Sequence, residues 1–129
     1  GKASYLKMLR SVFAKGVEAL LLEMLVGAER CDLLEQLMDA IVEHMDGSSF
    51  QEIANTWITT NVIHAERRTE EMEYVIQTLS ELHVEPIMAE AIRDRLRTSS
   101  QFGLKDFFKG QKPDDYREVI DAMVRMDFR

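Results

Sequence analysis

An all-α domain is the fold class this sequence predicts, and three observations predict it. Six glycines and two prolines in 129 residues fall well below the roughly 12% of average usage, so residues that break helices are scarce. Apolar residues make up 46% of the chain and recur at helical spacing of three and four rather than in the alternation of a strand. No internal repeat, low-complexity tract or strand pattern interrupts them. At 129 residues the chain is long enough for one domain with a real core and too short for two.

The first helix is predicted from Ser4 to about Glu29, with Leu6, Leu9, Phe13, Val17, Leu20 and Met24 in its stripe. Ala19 to Leu22 and Met24 to Val26 widen that stripe until it nearly encircles the axis, so this helix is expected to be central and largely buried. Asp32 followed by Glu35 has the spacing of an N-cap with its reciprocal carboxylate and would launch a second helix ending at Gly47. Ser49 and Glu52 repeat that spacing and open a third pattern that runs unbroken through Trp57, Ile63 and Leu79 to about His83. A straight rod of that length would span about 50 Å, far beyond a compact domain whose radius of gyration is ~14 Å. Either it bends, most naturally at the β-branched run Ile58 to Ile63, or a partner covers it.

Pro86 sits where a first-turn proline belongs and starts a short fourth helix containing Ile87, Met88, Ala91, Ile92 and Leu96. Thr98 to Pro113 reads as a connector whose Phe102, Phe107 and Phe108 anchor into the core. The last helix is predicted from about Asp114, with Tyr116, Val119, Ile120, Met123 and Val124 on one face. The predicted architecture is thus five or so helices, the third of them long and either bent, the form expected here, or covered by a partner.

Sixteen Lys and Arg against 23 Asp and Glu, a net charge of −7, argue against nucleic acid as a partner. The most apolar stretch, Val17 to Ala28, falls short of the ~20 residues a membrane-spanning helix needs. Cys31 is the only cysteine, so no internal disulfide can form, and a reducing, cytoplasmic setting is expected. An opening at Gly1-Lys2, with neither an initiator Met nor a leader, is expected of a segment of a longer chain.

His44, His64 and His83 have no ligand spacing between them, so no metal is expected. The glycines match neither phosphate-cradling pattern, so a nucleotide would have to be held mainly by residues outside this chain. Two polar constellations remain. Lys7, Ser11, Lys15 and Glu18 form one stripe along the first helix. That stripe either faces solvent or lines a cleft against another domain, where the Lys7 amine beside Arg10 could serve as a general base. His64, Arg67 and Arg68 share a face of the third helix, with Glu71 one turn on. They form either a solvated, salt-bridged surface or a pair of guanidinium groups able to fork a carboxylate or phosphate.

The opening Gly1-Lys2-Ala3-Ser4-Tyr5-Leu6-Lys7-Met8, with Lys15-Gly16 and Glu18-Ala19-Leu20, resembles the start of the C-terminal helical domain in the β-hydroxyacid dehydrogenase superfamily. That superfamily includes 3-hydroxyisobutyrate and 6-phosphogluconate dehydrogenases. The likeness is strongest to a branch of NAD-binding phosphogluconate dehydrogenase-like proteins and includes His64-Ala65-Glu66-Arg67-Arg68, Glu71-Met72, Val75, Glu85-Pro86, Met88 and Ala91. It covers roughly Gly1 to Arg97.

The resemblance implies that residues 1–129 are a single helical substrate-cleft and dimerisation domain, with the NAD- or NADP-binding Rossmann domain of the parent enzyme absent from this chain. It implies a homodimer and a small hydroxy-acid substrate. Lys7 occupies the position of the family's general acid/base lysine. Ser11, Lys15, His64, Arg67 and Arg68 are the implied substrate-binding set. Where the family often carries asparagines three and four residues after that lysine, this chain has Arg10 and Ser11, which leaves the identity of the hydroxy acid open. On this reading the isolated domain is inactive. The alternative is a non-catalytic helical dimerisation or interaction module.

Overall fold

The computed structural model describes residues 1–129 and is helical throughout, without strands. Its elements are α1 (Lys2–Arg30), α2 (Leu34–Asp46), α3 (Phe50–Glu81), α4 (Ile87–Gln101), the single turn α5 (Leu104–Phe107) and α6 (Tyr116–Arg125). The all-α expectation therefore holds. Helix α4 lies along α3, α5 and α6 close against α3, and α1 rests on α2 and α4.

Local chemistry explains most of the boundaries. Ser49 caps α3 as expected, its hydroxyl accepting from the Glu52 N–H at 3.2 Å, which satisfies one of the four unpaired donors at a helix start. Asp115 and Glu118 form a reciprocal capping box at the start of α6. The Arg117 backbone N–H, helped by its guanidinium, holds the Asp115 carboxyl below the usual carboxylate range.

Asp32 does not cap α2, contrary to expectation. It adopts a left-handed φ of 59°, and the Leu33 N–H turns back to the Ala28 carbonyl at 2.8 Å. That pairing closes α1 in a Schellman turn and leaves α2 to begin at Leu34 without a side-chain cap. His83 ends α3 in the same way, at φ 60° with Val84 N–H donating to Leu79 O at 2.9 Å, so α3 stops two residues before the predicted end. Pro86 stands at the N-cap of α4, one position before the first helical turn, and α4 runs on to Gln101.

Helix α3 is long and bent. The Arg68 guanidinium donates to the Trp57 carbonyl at 3.3 Å, from 11 residues away, and to Thr60 Oγ1 at 2.7 Å. In a straight helix that separation is ~16 Å, whereas an arginine reaches only about 7 Å from its own Cα. The two ends of the segment must therefore fold toward one another, with Trp57, Thr60 and Arg68 on the inner side. Thr59 and Thr60 return their hydroxyls to the carbonyls of Asn55 and Thr56, a back-bonding that bends helices. The bend thus falls on the β-branched run.

The core sits where the bent α3 meets the C-terminal elements. Val62, Leu104, Val119 and Ala122 are buried together, with Ile58, Ile63, Phe102, Phe108 and Met123 packed around them. The connector is therefore part of the core, and two of its three phenylalanines anchor there, but Phe107 is 53% exposed. Ile120 and Val124 also remain exposed, because α6 meets α3 through Val119 and Ala122, a narrower face than the apolar spacing suggested. Asn55 ties the two helices together: its amide nitrogen donates to Asp114 O at 2.9 Å and its oxygen accepts from Tyr116 N–H at 2.7 Å. Asn55→Leu removes both bonds and leaves a partly buried N–H unpaired. It should lower the unfolding free energy by about 1–3 kcal/mol, read as a fall in the denaturation midpoint at unchanged m-value.

The first helix is not buried. Only Gly27 and Ala28 of α1 are, while Tyr5, Leu6, Leu9 and Val12 are each about 70% exposed. Periodicity revealed an apolar helix but not what covers it, and nothing within this chain covers its N-terminal half. The total accessible surface is 9584 Å², against about 7,000 Å² for a compact monomer of this mass.

Candidate functional site

The polar stripe predicted on α1 lies in its protruding half. Lys7 and Lys15 are exposed, and Ser11 is half-buried. They share one helical face, as their spacing requires, and form no side-chain ion pair within this chain, Lys15 with Glu18 included. Beside them, between α1, α2 and the start of α3, runs an apolar groove of about 790 Å³ lined by Phe13, Leu20, Met24, Ile41, Phe50 and Trp57 among others. Phe13 and Phe50 meet edge to face across it, ring centroids 5.3 Å apart, a favourable arrangement for aromatic pairs. The stripe runs alongside this groove and does not line it.

On α3 the second predicted constellation is divided. His64 is half-buried. Arg67 pairs with Glu71 at 3.5 Å, both largely exposed, a contact worth little in solvent. Arg68 turns the other way, into the bend, where its donors go to Trp57 and Thr60. The two guanidinium groups therefore do not present a common fork. Nor does the structure join the α1 stripe to the His64 face, since α1 packs on α2 and α4.

A more polar cleft of about 620 Å³ opens between α2 and α3, with Glu43, His44, Ser48, Glu52 and Thr56 in its walls. His44 stacks near Trp57 there, at 6.2 Å between centroids. Two glutamates in the lining make this cleft unsuited to an acidic ligand. No group of three or more His, Cys, Asp or Glu side chains is placed to hold a metal ion, and no helix is long and apolar enough to cross a membrane.

The residues that fix α1 against the body of the domain escaped sequence reasoning. Glu23 reaches across to the start of α4, one carboxylate oxygen accepting from Met88 N–H at 2.8 Å and the other from Ala89 N–H at 2.9 Å. A carboxylate on the open N–H groups of a helix start is favoured both by hydrogen bonding and by the helix dipole. Two turns further along α1, Arg30 donates to the Leu82 carbonyl at 3.1 Å and to that of His83, the exposed acceptors at the end of α3. Between them Gly27 is buried against the same turn. A methyl there would stand 3.2 Å from Leu79 Cδ2, so glycine permits the close approach. The one visible sequence signal was Glu23 itself, a charge inside an apolar run.

With fold and site in view, the class is a helical domain whose leading helix is docked at its far end and uncovered at its near end. Residues 28–99 match the family described as a domain of unknown function, DUF1932, and the chain belongs to that family. It is similar to an uncharacterized 28.5 kDa protein encoded in the 7S RNA 5′ region of Methanothermus fervidus, with 31% identity over 97 residues, 75% of this chain and 38% of that protein. The crystal structure of a conserved hypothetical protein from Sinorhizobium meliloti 1021 superposes with a TM-score of 0.52 at 32% identity, covering 98% of this chain and 42% of that one. The chain thus spans about two fifths of the length of either relative.

Proposed function

We infer that this domain is the C-terminal, substrate-cleft and dimerisation part of an NAD(P)-dependent oxidoreductase acting on a small hydroxy acid. The observation that carries the reading is the uncovered half of α1. A polar stripe with a lysine near its start is flanked by exposed Tyr5, Leu6, Leu9 and Val12, an arrangement suited to a helix that closes a cleft against a second body. DUF1932 domains characteristically form the C-terminal helical part of NAD-binding 3-hydroxyisobutyrate dehydrogenase-like proteins. The accessible surface exceeds that of a compact monomer by about 2,600 Å², as expected of a domain that packs against a second body, and a homodimer would cover part of it.

The cofactor does not fit this chain alone, which has no glycine-rich turn at a helix start to cradle its phosphates. NAD or NADP would be held by a nucleotide-binding domain, and the contribution of this domain is proton handling and orientation. Lys7 would accept the proton of the substrate hydroxyl as the alcohol carbon is oxidised to a carbonyl, and return it in the reverse direction. Ser11, one turn away on the same face, would hold the hydroxyl in line. Lys15 supplies positive charge for the substrate carboxylate. His64 and Arg67 remain available to an anion brought by the missing part, whereas the donors of Arg68 are already engaged.

The test is the full-length parent protein, incubated with NAD⁺ or NADP⁺ and a panel including 3-hydroxyisobutyrate and 6-phosphogluconate. Reduced nicotinamide should accumulate with at least one member. A protein that binds neither cofactor and turns over no hydroxy acid would be the rival, a non-catalytic dimerisation module, which the exposed apolar flank of α1 equally suits.

A further inference from the structure

We propose that Glu23 is a positioning residue for Lys7, acting through the whole length of α1 as a lever; the proposal rests on the oxidoreductase reading above. Glu23 and Arg30 are the only α1 side chains that hydrogen-bond another element. Together with the close approach of Gly27 to Leu79, they pin the far end of the helix to the turn between α3 and α4. Ahead of that anchor α1 packs on α2 over an open groove of about 790 Å³, with Phe13 meeting Phe50 across it. Ahead of Phe13 every residue but the half-buried Ser11 is exposed.

Lys7 is separated from Glu23 by about 24 Å of rigid helix. A change of about 5° in the docking angle therefore displaces Lys7 by about 2 Å, and misplacement of a catalytic group by about 1 Å can cost 10²-fold in rate. Arg30 is the weaker determinant of that angle, because a single exposed guanidinium nitrogen serves both of its carbonyl acceptors. The two Glu23 oxygens hold consecutive N–H groups of α4 and so constrain direction as well as distance. A carboxylate with this role has no need to touch substrate.

The experiment uses the full-length protein and the hydroxy acid found in the panel above, and compares Glu23→Ala and Glu23→Gln in the native and the Lys7→Ala backgrounds. Glu23→Ala should lower kcat by about 10- to 100-fold with the KM for NAD(P) unchanged. Glu23→Gln keeps one acceptor, is the milder change for folding, and should fall between Glu23→Ala and the native protein. In the Lys7→Ala background the same changes should alter residual turnover by less than about twofold, because an absent amine cannot be misplaced. Equal losses in both backgrounds would reduce Glu23 to a structural role and overturn the proposal, as would unchanged kcat in both Glu23 variants while Lys7→Ala is impaired. If Lys7→Ala itself turns over normally, the catalytic assignment of Lys7 falls first and the lever has nothing to position.

Discussion

Lys7→Ala in the full-length protein should lower hydroxy-acid turnover by about 10²- to 10⁴-fold, the range that a positioned general acid/base contributes, with folding and nicotinamide binding retained. Retention is expected because Lys7 is exposed and lies in the uncovered half of α1, where surface substitutions change stability by only about 0.5 kcal/mol. Lys7→Arg sharpens the test. A guanidinium preserves the charge but cannot give up its proton at neutral pH, so arginine should fail almost as badly as alanine if proton transfer is the role. Recovery with arginine would instead assign Lys7 to charge recognition of the carboxylate. Unchanged turnover in both variants would remove the residue from the chemistry and favour the interaction module.

The largest stability effect is expected at Leu104, in a part of the chain outside the 28–99 family match. Leu104 is 2% exposed and sits in the same cluster as Val62, Val119 and Ala122. Leu104→Ala deletes buried methyl groups and leaves a cavity that the short turn α5 cannot collapse, which should cost about 3 kcal/mol. For a domain of this size that corresponds to a fall in melting temperature of about 10 °C. A fall of less than about 2 °C would mean that α5 and α6 undock locally and that the cluster is not the cooperative centre of the fold. The matching control is Phe107→Ala on the same turn, whose half-exposed ring should matter far less.

Much of the local structure was legible in the residue order. Ser49 with Glu52 set the start of α3, and the unbroken apolar spacing with no glycine or proline after it carried that helix past thirty residues. The excess length already demanded a bend or a cover, and the β-branched run showed where bending would be easiest. Asp32 shows the limit of the same reasoning. Its spacing to Glu35 suits an N-cap, but the residue is equally able to enter the left-handed region that ends the preceding helix, and two short-range patterns compete for one backbone. The exposure of α1 was illegible for a different reason, since an apolar stripe records that a face is to be covered without recording by what.

The sites divide along the same line. The co-facial placement of Lys7, Ser11 and Lys15, and of His64 with Arg67 and Arg68, follows from helical spacing alone, because neighbours at three and four residues are set by 3.6 residues per turn. The sequence by itself therefore determined the helical class, most helix boundaries and which polar residues share a face. Tertiary structure alone decided that Arg68 turns into the bend, that α5 and α6 complete the core, and that Glu23 and Arg30 grip backbone atoms 65 and 52 residues away. Periodicity reports interactions within one turn, whereas a carboxylate seeking open N–H groups is satisfied by whichever helix start the packing brings within 3 Å.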